Sequence, residues 1–152
     1  MADSEPAAQT PLRTLIVDDE PLAVERTQVI CVELDAIRVV GTASDGAAAL
    51  RLAEKLAPDL VLLDMTMPEL DGLGVARQLA EYETPPAVIF VTAHDHFAVE
   101  AFDLEAIDYV LKPVSADRLS RAIARAVARR GERATQTSEW RDELWVPHRA
   151  EL

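Results

Sequence analysis

Five times along this chain a short, nearly continuous apolar run gives way to an amphipathic stretch, and few folds accept that rhythm. The runs are Leu12–Val17, Ile37–Ala43, Asp59–Leu63, Ala87–Thr92 and Asp108–Leu111. Helical periodicity fills the intervals, over 21–34, 45–56, 72–82, about 95–103 and 115–130. Pro21 suits the first turn of a helix, while Pro85 and Pro86 stop one. Strands that are apolar on both faces and alternate with helices predict an α/β fold. Its sheet is parallel, its crossovers are right-handed, and helices cover both faces. The last helix shows the logic: Leu119, Ala122, Ile123, Ala126 and Val127 form one stripe, with Gly131 as the expected C-cap.

Composition narrows the classes. A chain of 152 residues, 49% hydrophobic and 28% charged, has the makeup of a soluble globular domain with a modest remainder. Its one cysteine, Cys31, excludes a disulfide framework within the chain and reads as a small buried hydrophobe. No apolar run approaches the roughly 18 residues of a membrane span. The opening MADSEPAAQT is acidic, unlike a signal peptide, so a cytoplasmic protein with no membrane partner is expected. Residues 1–116 hold 7 Lys/Arg against 21 Asp/Glu, giving −14, whereas residues 117–152 hold 8 against 6, giving +2. So acidic a body is a poor ligand for nucleic acid but suits a cation or a basic partner.

Polar residues gather where the runs end. Asp18 and Asp19 close the first, Asp64 follows the third, Thr92 closes the fourth and Lys112 follows the fifth. That is the edge of an open parallel sheet where ligands bind. Carboxylates about 4 Å apart repel by about 4 kcal/mol per pair at an effective dielectric near 20. A proton or a hard cation must therefore relieve them, and oxygen ligands favour Mg²⁺. A hydroxyl and an ammonium beside them suit phosphoryl oxygens, and carboxylates are known nucleophiles toward phosphorus. Helix capping alone accounts for an Asp18 or an Asp45, but not for Thr92 and Lys112 at the same edge.

The stretches LIVDDE (15–20), LVLLDMTMPELDG (60–72), VIFVTA (88–93) and DYVLKP (108–113) together resemble a response-regulator receiver domain over about residues 11–131. The resemblance implies a flavodoxin-like, doubly wound sheet of five strands in the order 2-1-3-4-5. It makes Asp64 the phosphoacceptor, with Thr92 and Lys112 on the phosphoryl group and Tyr109 as the aromatic switch. It gives Mg²⁺ to Asp19, Asp64 and the Thr66 carbonyl, with Asp18 acting through water, and makes the Lys112–Pro113 bond cis. It implies a sensor histidine kinase or phosphotransfer protein as donor. It also implies a switch that catalyses no reaction beyond its own phosphorylation and dephosphorylation.

The stretch HDHFAVEAFDLEAIDYVLKPVSADRL (94–119) is similar to receivers that precede a LytTR-type DNA-binding domain. Residues 1–10 are then a disordered tail and 132–152 a linker, with ELWVPHRAEL (143–152) resembling the opening of that output domain. DNA is a partner only through that domain, which this chain does not contain. Two rivals accompany this reading: a stand-alone receiver acting by protein docking, and an aspartyl-phosphate phosphatase. The phosphatase generally needs a second acid two residues past the nucleophile, where Thr66 stands. Acids at Glu100, Asp103, Glu105 and Asp108 and bases at Arg118, Arg121, Arg125 and Arg129 predict a homodimer face, self-complementary about a two-fold axis. His94 and His96 flank Asp95 too loosely in sequence to read as a metal site. No Gly-rich nucleotide fingerprint is present, which argues against ATP as direct donor.

Overall fold

The computed structural model of the chain describes residues 10–143, with side chains over 10–131. The expected tail and the expected output-domain opening lie almost entirely outside the described residues. Five parallel strands, β1 Leu12–Val17, β2 Ile37–Ala43, β3 Leu60–Leu63, β4 Ala87–Thr92 and β5 Asp108–Leu111, form one sheet in the order β2-β1-β3-β4-β5. The helices between and after them are α1 Pro21–Val32, α2 Gly46–Leu56, α3 Gly72–Leu79, α4 Ala98–Asp103 and α5 Ala116–Glu143. The expected fold class and strand order are both observed.

Each face of the sheet has its own core. Leu15, Val17, Val61, Leu63 and Phe90 pack against α2, α3 and Ala101 of α4. Leu12, Ile16, Leu60, Leu62, Ile89 and Val110 pack against Cys31 of α1 and against Leu119, Ala122, Ile123 and Ala126 of α5. Alternate residues of LVLL thus serve opposite cores, which is why that strand shows no polar face. The chain leaves β1 toward one face and β3 toward the other, so a crevice opens between their carboxyl ends.

Local chemistry sets the helix ends. Asp45 caps α2 by accepting the Ala48 N–H at 2.8 Å, and Asp71 caps α3 by accepting that of Gly74 at 2.9 Å. Asp18 caps nothing: α1 starts after Glu20 with Pro21 in its first turn and no side-chain cap. Two expectations need correction. Residues 95–97 are not helical, because α4 begins only at Ala98. Gly131 is not a C-cap, because α5 runs through it to Glu143. A glycine inside a helix is tolerated at a cost of about 0.5–1 kcal/mol relative to alanine. It marks a stop only when the chain turns left-handed there, and no glycine among the described residues has positive φ.

Candidate functional site

Sheet register brings the acids together. Val17 pairs with Leu63, and the Asp64 N–H donates to the Val17 carbonyl at 2.9 Å, so Asp18 and Asp64 leave adjacent strands side by side. One ligand oxygen from each of Asp18, Asp19 and Asp64 lies within 4.8 Å of the others. Asp18 and Asp64 are buried and Asp19 is exposed. Thr92 pairs with Leu111, and the Lys112 N–H donates to the Thr92 carbonyl at 2.8 Å, which sets Lys112 at the same edge. Its Nζ lies 2.8 Å from Asp18 Oδ2, 3.0 Å from Glu20 Oε1 and 3.7 Å from Asp64 Oδ2. The Lys112–Pro113 bond is cis, as expected.

Each carboxylate holds a distinct position. Asp18 uses one oxygen on Lys112 and accepts the Glu20 N–H with the other at 3.0 Å, leaving Asp19 as the acid that opens to water. Asp64 Oδ1 accepts the Thr66 N–H at 3.5 Å. Burial first, and the neighbouring Asp18 charge second, push the Asp64 carboxyl up to about 6, against the pull of Lys112, the Thr66 amide and the Thr92 hydroxyl. Burial pulls Lys112 down, but Asp18, Glu20 and Asp64 outweigh it and raise its ammonium above the ordinary lysine value. One lysine therefore does not fully compensate three acids. Oxygen donors at this separation, with one acid open to solvent, fit a hard divalent cation.

This imbalance predicts a pH effect. The folded Asp64 value of about 6 exceeds its ordinary 3.8, so between them the folded chain holds a proton that the unfolded chain has released. The stability from this proton is present at low pH and is lost as pH rises from about 4 to about 6. After discounting for solvent screening at the open edge, the loss is on the order of 1–2 kcal/mol. Thermal melting of the wild type minus Asp64→Asn, without divalent ions, should show this fall. Millimolar Mg²⁺ should flatten it. A flat difference curve without Mg²⁺ would contradict the account.

The remaining expected residues fall into two groups. Tyr109 is half-buried, and its hydroxyl donates to the His94 carbonyl and accepts the Phe97 N–H at 3.3 Å. The His94 N–H in turn donates to Thr92 Oγ1 at 3.3 Å. His94 and His96 meet edge-on at 5.6 Å, and His96 lies against Phe97 at 4.2 Å. Glu100, Asp103, Arg121 and Arg125 are exposed on α4 and α5. Asp108 and Arg118 are not free for a partner: Asp108 is 4% exposed, and Arg118 binds both its oxygens at 2.9 and 3.0 Å. Glu105 likewise meets Arg129 of its own chain at 4.0 Å. The expected acid-to-base match between two copies is thus partly satisfied inside one.

Two contributors went unseen in the sequence. Glu20 holds the resting lysine, and only its place beside Asp19 hinted at that. Gly72 donates its N–H to the Met65 carbonyl at 2.8 Å, pressing the loop after Asp64 against that residue's own backbone.

An acid cluster at the crevice between β1 and β3, with a threonine and a lysine at the neighbouring strand ends, is the arrangement that the sequence resemblance implied. The family model described as "Response regulator receiver domain" matches residues 14–124. The chain belongs to this family. A receiver is a signalling switch rather than an enzyme with a turned-over substrate. Over 116 residues this receiver is 53% identical to the positive alginate biosynthesis regulatory protein of Pseudomonas aeruginosa, covering 76% of this chain and 47% of that one. It is 39% identical over 112 residues to the sensory transduction protein LytR of Staphylococcus haemolyticus, covering 74% and 44%. The chain thus spans about half the length of these relatives. Among solved structures, the response regulatory domain of mrkE from Klebsiella pneumoniae superposes with a TM-score of 0.72 at 32% identity, covering 77% of this chain and 96% of that one.

Proposed function

We propose that this receiver takes a phosphoryl group onto Asp64 from the phosphohistidine of a sensor kinase or phosphotransfer protein, and thereby controls a LytTR-type DNA-binding output. The observation that carries the reading is the convergence of Asp18, Asp19 and Asp64, with one oxygen of each within 4.8 Å of the others, and of Lys112 at 2.8 Å from Asp18 and 3.7 Å from Asp64. A carboxylate oxygen of Asp64 attacks phosphorus, the phosphorus–nitrogen bond breaks, and the donor imidazole leaves with the electron pair and regains a proton. Asp18, Asp19, Asp64 and the Thr66 carbonyl would hold Mg²⁺, which when bound neutralises charge on the acids and the phosphoryl oxygens. Lys112, 3.7 Å from Asp64, is positioned to shift from Glu20 toward the new phosphoryl oxygens. The Thr92 hydroxyl, which already acts on the Asp64 carboxyl, offers a second donor.

The acyl-phosphate carries about −1.5 to −2 charges on its phosphoryl group, in place of the single charge of the carboxylate it consumes, in a nearly buried crevice. Thr92 is drawn toward the phosphate, and the loop it shares with His94 moves against Tyr109, which repacks the α4–β5–α5 face. The similarity to a LytR protein, and relatives about twice this length, support a DNA-binding output joined to the receiver in regulators of this kind. We place the receiver at about 11–131, in the cytoplasm; among the described residues no helix is long and apolar enough to cross a membrane. Glu100, Asp103 and Arg121, with Arg125 exposed but already 3.7 Å from Asp108 of its own chain, would serve a phosphorylation-favoured homodimer, in which exposed pairs set orientation more than affinity.

Acetyl phosphate with Mg²⁺ should add one phosphoryl group by intact mass, and chelating the Mg²⁺ should prevent it. Continuous turnover of acetyl phosphate, with no stoichiometric adduct, would contradict the reading.

A further inference from the structure

The Asp108–Arg118 pair holds more than two charges. Asp108 begins β5 on the face that packs against α5, two residues before the buried Val110. Its Oδ1 accepts the Tyr109 N–H at 2.8 Å, while Arg118 forks onto both carboxylate oxygens. The same Arg118 Nη2 also donates to the Tyr109 carbonyl at 3.3 Å. The backbone of Tyr109 is therefore gripped at its amide and its carbonyl by one ion pair. Arg125 reaches the carboxylate only at 3.7 Å and has no bond to Tyr109.

We propose that Arg118, acting through Asp108, is a positioning residue for Tyr109, fixing where its hydroxyl meets the loop from His94 to Phe97. This rests on the reading of Asp64 as phosphoacceptor, because that loop joins Tyr109 to the site. A continuous set of bonds runs from Arg118 to the Tyr109 backbone, from the Tyr109 hydroxyl to His94, and from His94 to Thr92 beside Asp64. The pair is rigid for physical reasons. Two parallel N–H···O bonds fix the angle of the guanidinium, and a 4%-exposed carboxylate exchanges poorly with water. Lysine in place of Arg118 keeps the charge but loses the fork.

The chain has only two tyrosines, Tyr82 and Tyr109, so ring-labelled tyrosine gives two NMR signals, with Tyr82 an internal reference. Without any phosphoryl donor, Arg118→Gln should shift the Tyr109 signal and the His94 and Phe97 amides, leaving Tyr82 in place. Arg118→Lys, which keeps a cation over the buried acid and so the fold, should shift them in the same direction. Arg125→Gln should shift none of them. In a beryllofluoride titration with Mg²⁺, the half-saturating concentration for either Arg118 variant should change by at least about 5-fold, the low end of ordinary coupling between sites. An unmoved Tyr109 in a folded Arg118 variant overturns the proposal. So does a moved Tyr109 with unchanged half-saturation. A wild type that ignores beryllofluoride counts against the phosphoacceptor reading instead, and the donor-free spectra then decide the positioning role alone.

Discussion

Gly72→Ala should destabilise the receiver by about 3 kcal/mol or more, beyond the usual range of a surface substitution. A Cβ on residue 72 would sit 2.2 Å from the Asp64 carbonyl oxygen and 2.8 Å from the Met65 Cα. Both are backbone atoms, and neither is free to move. Asp64 is tied to β1 through its N–H, and Met65 is buried in the core at 1% exposure. Relief must come from lifting the start of α3 off the end of β3, which exposes Leu73 and Val75 and disturbs the acceptor. In thermal melting the loss corresponds to a fall of roughly 10 °C for a domain of this size. Gly131→Ala is the matched control. Nothing lies within 4 Å of a Cβ there, and the site is inside α5, so that change should stabilise by about 0.5–1 kcal/mol. A Gly72→Ala melt within 2 °C of the wild type would be incompatible with the close approach at Asp64.

Asp64→Asn should lose phosphorylation completely yet melt no lower than the wild type in the absence of divalent ions. The amide keeps the shape of the carboxyl but is a far poorer nucleophile. It also removes one charge from a cluster in which burial and Asp18 already push Asp64 up to about 6. At pH 7 that carboxylate is ionised against its surroundings, so its removal should raise stability by on the order of 1–2 kcal/mol after allowing for screening. Lys112 keeps its closer contacts to Asp18 and Glu20. Mg²⁺ should stabilise the wild type and barely affect the variant, which lacks one of the converging ligands. Circular dichroism melts with and without Mg²⁺ test this directly. A large drop for Asp64→Asn would mean that its carboxylate supports the fold rather than opposing it.

The fold was legible because the central strands β1, β3 and β4 are buried on both faces over most of their length. Each of these had to be a largely apolar run, and polar residues at the strand ends could be placed only at the carboxyl edge. The acids, Thr92 and Lys112 followed from that edge. Boundaries were less legible where tertiary contacts overrule local pattern. Residues 95–97 read as helix, yet the Tyr109 hydroxyl donates to the His94 carbonyl, which a helix beginning at residue 95 would use in its first turn, and also accepts the Phe97 N–H. Gly131 read as a stop because glycine favours helix ends, but an exposed glycine also fits mid-helix.

Asp108 is the instructive case. Charge alone groups it with Glu100, Asp103 and Glu105 in one acidic patch, whereas strand alternation puts it with Val110 on the face toward α5. Burial first pushes its carboxyl up, but the Arg118 bonds, the Tyr109 amide and the two arginine charges prevail and hold it below the ordinary value. Stability from this group is present above 3.8 and is lost as pH falls through its folded value, a window below that of Asp64. Charge counting saw a surface where the period-two pattern of β5 described an internal anchor.

The account depends most on where a phosphoryl group goes. An aspartyl-phosphate can be trapped by borohydride, which reduces the acyl carbon and leaves homoserine in place of aspartate. After acetyl phosphate and Mg²⁺ treatment, reduction and peptide mass spectrometry should find homoserine at residue 64, with Asp18 and Asp19 unchanged. Conversion at another acid, phosphate retained on His94 or His96, or no conversion in folded Mg²⁺-bound protein would contradict it.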